Sequence, residues 1–139
     1  MVDTERVDRL LSRISDDLRE LTGYRRRGEK LLTDRTALAA TKYYLITAIE
    51  GCVRVAQHLI VAEGWPVPES NADAVRQLGA QQVLSPELSD AVARSVGFRN
   101  LLVHEYAEID DRRVLHHLRR VDDLQEFVRS VAVWLGERR

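Results

Sequence analysis

The sequence has a single cysteine, Cys52, among 139 residues. A lone thiol has no internal partner, so the fold is expected to hold without disulfides, which suits a reducing cytoplasm. Prolines are scarce (Pro66, Pro68 and Pro86) and there are seven glycines. Few positions therefore interrupt regular structure, and no segment alternates apolar and polar residues in the manner of a strand. No apolar run reaches the roughly 18 residues of a membrane span. The first residues, Met1-Val2-Asp3-Thr4-Glu5-Arg6, carry charges where a signal peptide would be apolar, so none is expected. Excess charge is missing too: 21 Lys and Arg against 22 Asp and Glu give a net charge of −1. That balance excludes a polycation that grips nucleic acid by bulk charge, though not a local basic site. There is no glycine-rich phosphate loop, no Cys-x-x-Cys pair and no His-Glu-x-x-His.

What the sequence does have is apolar residues (45%) in helical register and abundant charge (31%). The length suits one domain over residues 1–139, able to bury roughly two-thirds of its unfolded surface. The cations are arginines apart from Lys30 and Lys42. Arginine is the better fork for phosphate, but a genome that favours its codons explains the bias equally well.

Val7, Leu10, Leu11, Ile14, Leu18 and Leu21 form one stripe of a first helix, capped by Asp3 or Thr4 and ended near Gly23 and Arg25-Arg26-Arg27-Gly28. A second helix runs from Thr33 or Asp34 to Glu63. Its apolar face, which includes Leu45, Ile49, Cys52, Ala56, Leu59, Ile46, Val53 and Ile60, is too wide for one partner. It predicts the central helix of a bundle, or one that also meets another subunit. Pro66 and Pro68 force a loop. Ser70 or Asn71 caps a short third helix, and Ser85-Pro86-Glu87 starts a fourth that carries Leu88, Ala91, Val92, Ser95, Phe98 and Leu102. Asp110-Asp111 opens the last helix, with Val114, Leu118, Val121, Leu124, Val128, Val131 and Leu135 as its stripe. The expected fold is all-α, a mostly antiparallel bundle of four long helices and one short one.

Four histidines are present: His58, His104, His116 and His117. The last two are adjacent, about 100° apart on a helix, and cannot easily share a metal; no metal and no cofactor is expected. His58 reads as a packing or interface residue. The segment Arg99-Asn100-Leu101-Leu102-Val103-His104-Glu105-Tyr106 is different. It sets a guanidinium, an amide, an imidazole and a phenol at the end of the fourth helix, with Leu101-Leu102-Val103 expected to anchor it. Arginine binds phosphate bidentately and histidine moves protons near neutral pH, a minimal kit for cleaving a phosphodiester. Each residue also has an ordinary role available. Arg99 could pair with Glu105, Glu108 or an acid on the next helix, His104 could be a hydrogen-bonded neutral imidazole, and Tyr106 could be an edge aromatic. Likewise Arg25-Arg26-Arg27 reads as solvated helix-end charge, and Trp65 and Trp134 as packing anchors.

The string Arg-Asn-x-x-Val-His-x-Tyr resembles the Arg-x4-His-x-Tyr motif of HepT toxins, a branch of the HEPN ribonuclease superfamily. The second helix ending Ala56-Gln57-His58-Leu59-Ile60, the Gly-Trp-Pro-Val-Pro loop and the Leu-Ser-Pro-Glu-Leu start occur in the family's order, so the resemblance spans nearly the whole chain. It implies a homodimeric, HEPN-like helical bundle and a metal-independent endoribonuclease toxin of a toxin–antitoxin pair. It also implies an RNA substrate and a neighbouring MntA-like minimal nucleotidyltransferase antitoxin that transfers AMP to the motif tyrosine. By that resemblance Arg99 and His104 are catalytic, Asn100 supports them and Tyr106 is the modified residue. A non-catalytic module that partners a nucleotidyltransferase, or a plain dimerisation bundle, is the alternative.

On an ideal helix Arg99 and His104 point about 140° apart, whereas Arg99 and Tyr106 nearly align, as do Asn100 and His104. The first pair meets on one phosphate only if the arginine wraps round, the helix loosens, or a second subunit contributes. The alignment of Arg99 and Tyr106 predicts that an adenylyl phosphate on the tyrosine would lie beside the guanidinium.

Overall fold

Side-chain caps decide where five of the six α-helices of this chain begin. In the computed structural model, which describes residues 1–139, α1 spans Thr4–Arg25, α2 Arg35–Glu63, α3 Asn71–Ala80, α4 Pro86–His104, α5 Asp111–His117 and α6 Val121–Gly136. Asp3, Asp34, Ser70, Ser85 and Asp110 accept hydrogen bonds from the backbone N–H groups of Arg6, Ala37, Asp73, Leu88 and Arg112. Each satisfies one of the donors a helix start leaves unpaired. At the end of α2, Gly64 adopts φ 69° and Trp65 N–H reaches the Ile60 carbonyl at 3.0 Å, a left-handed stop that favours glycine.

A cluster of 36 buried residues draws on every helix. As its wide apolar face implied, α2 is central and packs against α1, α3, α4 and α6. It is long and apolar enough to cross a bilayer by composition, but half of its most apolar stretch is buried in the bundle, as in the core helix of a folded domain. Trp65 and Trp134 meet edge to face with ring centroids 5.9 Å apart, and Trp134 is buried, so both act as anchors.

The first helix ends at Arg25, within the stretch expected, and is followed by a 3₁₀ turn, Gly28–Thr33, pinned by the fully buried Leu31. Two features differ from expectation. The last helix is two, α5 and α6, joined by a 3₁₀ turn over Leu118–Arg120. Three residues wound at about 120° rather than 100° advance the helix by roughly 60°. The buried stripe after that turn is accordingly met by Phe127, wholly buried, in place of Val128. Finally, Leu102 alone anchors the end of α4: Leu101 is half-buried and Val103 is 43% exposed.

Candidate functional site

The site is built where α4 lies antiparallel to α2. Arg99 of α4 reaches Glu50 of α2, and Tyr106, just beyond α4, reaches Ala39, nearer the start of α2. Arg99 is largely enclosed, with 24% of its side chain exposed. Its Nη2 lies 3.5 Å from Glu50 Oε2 and its Nη1 donates to Asn100 Oδ1 at 3.1 Å, while its Nε is buried without a partner. Glu50 also accepts from Arg54 Nη2 at 3.0 Å. Arg99, Glu50 and Arg54 line a cavity of about 520 Å³ with Arg6, Gln57 and His58. Three guanidiniums face one carboxylate, so the cavity favours an anion. His58 accepts a hydrogen bond at Nε2 from Asp3 N–H (3.0 Å). Burial, and then the nearby Arg6, push its pKa below the usual histidine value.

Asn100 thus orients the guanidinium rather than the imidazole, although Asn100 and His104 align on the helix. His104 is the last residue of α4 and is exposed. The helix does not loosen before it, since Glu105 N–H still reaches the Leu101 carbonyl at 2.9 Å. His104 therefore sits about 140° around the axis and about 7.5 Å along it from Arg99, and it does not line the Arg99 cavity. Within one subunit the two residues thus leave α4 on different sides.

Tyr106 departs from expectation. The helix ends before it, so it does not align with Arg99. Its hydroxyl lies 3.4 Å from the Ala39 carbonyl, and Lys42 Nζ sits 4.9 Å from its ring centroid. Lys42 also donates to the Tyr106 carbonyl at 3.1 Å and pairs with Asp111 at 3.2 Å. Ala39 and Lys42 precede Glu50 on α2 by eleven and eight residues, which puts Tyr106 roughly 12–16 Å from the Arg99 ion pair along that helix. The cation beside the phenol is Lys42.

Sequence reasoning missed Glu50, Arg54 and Lys42. Glu50 and Arg54 carried a faint signal, an acid and a base four residues apart on an apolar helix. Lys42 carried a clearer one, as one of two lysines in an arginine-rich chain, and it is almost fully buried. The expected partners of Arg99 (Glu105, Glu108 or an acid on the next helix) are not the ones it uses, because its side chain turns back onto α2.

A helical bundle whose fourth helix closes on Arg-x4-His, with the tyrosine of the motif just beyond, defines a protein of HEPN type. The family model described as "Ribonuclease HepT-like" matches residues 9–131, and the chain belongs to that HepT-like family. It is similar to the mRNA nuclease HepT of Shewanella oneidensis, with 26% identity over 102 residues, 73% of this chain and 77% of that protein. Over 45 residues, 32% of this chain and 31% of the other, it is 49% identical to the tRNA nuclease HepT of Aphanizomenon flos-aquae. Its fold matches a chain in the structure of the tri-AMPylated Shewanella oneidensis HEPN toxin in complex with MNT antitoxin. The TM-score is 0.84 at 22% identity, covering 96% of this chain and 99% of that one. The cytosolic protein YutE of Bacillus subtilis shares the fold as well (TM-score 0.85, 17% identity, 99% and 93% covered).

Proposed function

We propose that this protein is an endoribonuclease toxin of a toxin–antitoxin pair, acting as a homodimer on RNA through Arg99 and His104. The observation that carries the reading is Arg99: a guanidinium held by Glu50 and Asn100 at a cationic cavity, its Nε–H buried and unpaired. A phosphate oxygen entering that cavity would be held by the charge of the guanidinium. Membership of the HepT-like family supports the same reading.

In the proposed reaction His104 of one subunit takes the proton from an RNA 2′-hydroxyl as its oxygen attacks the adjacent phosphorus. The bond from phosphorus to the 5′-oxygen breaks, and that oxygen is protonated by the partner's imidazole or by water. Arg99 stabilises the charge that builds on the phosphoryl oxygens, Asn100 holds the guanidinium in place, and a 2′,3′-cyclic phosphate results. Purified protein is expected to cleave RNA equally with and without EDTA, and Arg99→Ala or His104→Ala to lose at least about a hundredfold in rate. Loss of cleavage on chelation, or variants as active as wild type, rejects the scheme. The latter result, with growth arrest unchanged, fits a non-catalytic partner module.

Neutralisation would fall to an MntA-like nucleotidyltransferase that adenylylates Tyr106. Tyr106 is 41% exposed; on losing its proton its oxygen would attack the α-phosphorus of ATP and release pyrophosphate. The new phosphodiester would lie beside Lys42, opposite in charge, and would obstruct the RNA path near His104. After incubation with the antitoxin and ATP, peptide mass spectrometry should locate adenylylation on Tyr106. A modification confined to another residue removes the assignment.

A further inference from the structure

A second concave surface lies across α4 from the Arg99 cavity. It has a volume of about 430 Å³ and runs between α4 and the stretch from α5 to the following 3₁₀ turn. Its polar walls are Arg94, Arg112, Arg113, His116, His117 and Arg120, and no carboxylate lines it. Acids outside the groove hold three of these arginines: Asp90 holds Arg94 (3.1 Å), Glu29 holds Arg112 (2.9 Å) and Asp123 holds Arg120 (3.4 Å). Arg113 and His116 have no acidic partner. Arg112 and His116 lie one turn apart on α5, about 6 Å along its axis, and Arg120 follows on the 3₁₀ turn. The floor is the Phe98 ring stacked on His117, with centroids 4.1 Å apart and planes 12° from parallel. His117 Nε2 is buried without a partner. Burial, with Arg120, His116 and Arg113 around it, lowers its pKa to about 4, so at neutral pH the ring adds no charge, and among the arginines only Arg113 is left without an acid.

The groove also points somewhere. Arg94, Gly97, Phe98 and Leu101 share one face of α4. His104 follows Leu101 by three residues, about one turn on and roughly 60° around the axis. A strand lying in the groove along α4 runs toward the imidazole from the side away from Arg99.

We propose that this groove is a phosphate-binding subsite for single-stranded RNA, which holds backbone phosphates next to the linkage presented to His104. The inference rests on the nuclease reading and extends it to how the substrate is held. Four guanidiniums on a lining free of carboxylates, one of them unpaired and three held by acids outside the groove, suit a polyanion. A protein partner would call for an exposed apolar anchor, and the only apolar side chains here, Phe98 and Leu101, are half-buried in the floor.

Gly97 supplies the test. A Cβ there meets nothing within 4 Å, so Gly97→Glu brings a carboxylate to the groove from an open position on α4, and helix propensity improves. The probe is a short fluorescent single-stranded 2′-O-methyl RNA, which lacks the attacking hydroxyl, and binding is read by anisotropy over a salt series. Gly97→Glu is expected to weaken binding at least tenfold and Arg113→Gln about threefold. The logarithmic salt slope should fall by about 0.7 for each phosphate that the groove no longer neutralises. Gly97→Gln should lose much less than Gly97→Glu, and Arg129→Glu on the far face of α6 should bind as wild type. Unchanged affinity in Gly97→Glu and Arg113→Gln overturns the proposal. So does an equal loss in Gly97→Gln and Gly97→Glu, or an intact affinity for RNA combined with loss of the homodimer or of the nucleotidyltransferase complex. A parallel cleavage assay separates the two readings. Groove-dependent binding without cleavage leaves the subsite standing and removes the nuclease, whereas cleavage that needs His104 but ignores the groove does the reverse.

Discussion

Mixing purified Arg99→Ala and His104→Ala proteins, each inactive alone, is expected to restore about a quarter of wild-type RNA cleavage after subunit exchange. The expectation follows from the splay of the two side chains. Arg99 is drawn onto Glu50 of α2, and His104 caps the other side of α4, so a phosphate held by one guanidinium is within reach of an imidazole only if a second subunit brings it. In a two-fold dimer each composite site would then take its arginine from one chain and its histidine from the other. Equal mixing gives about half heterodimers, and each heterodimer has one site with both groups intact and one with neither. Rate assays on the mixture, against each variant alone, read the result directly. No recovery in a mixture shown by native mass spectrometry to contain heterodimers means that both groups act from one chain, and the composite site is then abandoned.

The second large effect concerns acid stability. His117 is buried under the Phe98 ring among Arg113, His116 and Arg120, and its pKa falls from 6.5 to about 4. Below 6.5 the unfolded chain takes up a proton that the folded chain refuses, so stability from this group is complete above that pH and drains away as the pH falls toward 4. The loss reaches about 3 kcal/mol by pH 4. His58 is lowered too, chiefly by burial, and acts in the same sense, while burial raises the carboxyl of Asp17 and acts against it. His117→Phe isolates the effect, since it keeps the ring stack and removes the titrating group. Urea unfolding at pH 7 and pH 4 should show wild type losing about 3 kcal/mol more than the variant. Equal losses in the two proteins would show that the ring is protonated freely in the folded state.

The helices were legible because their signals are local. Ser85-Pro86-Glu87 and Asp34 act within one turn of the residues they cap, and the width of the apolar face on α2 announces how many neighbours it must cover. The phase of the last helix was not legible, because a 3₁₀ turn of three residues shifts the stripe from Val128 to Phe127 without any change of composition. The motif itself was readable as a string. Its neighbours were not: Glu50 lies 49 residues from Arg99, and Lys42 lies 64 residues from Tyr106.

By itself the sequence determined an all-helical chain, the starts of most of its helices, a core centred on α2 and the short run of residues that carries the family's motif. These depend on caps, on apolar spacing and on residue chemistry, all properties of neighbours along the chain. Only the tertiary structure decided that Arg99 turns to Glu50, that Tyr106 leaves the helix and settles by Lys42, and that Arg94 joins three arginines from the far end of the chain in one groove. Those outcomes depend on how α2, α4 and α5 pack, and a side chain's charge partner is set by that packing, not by its position in the sequence.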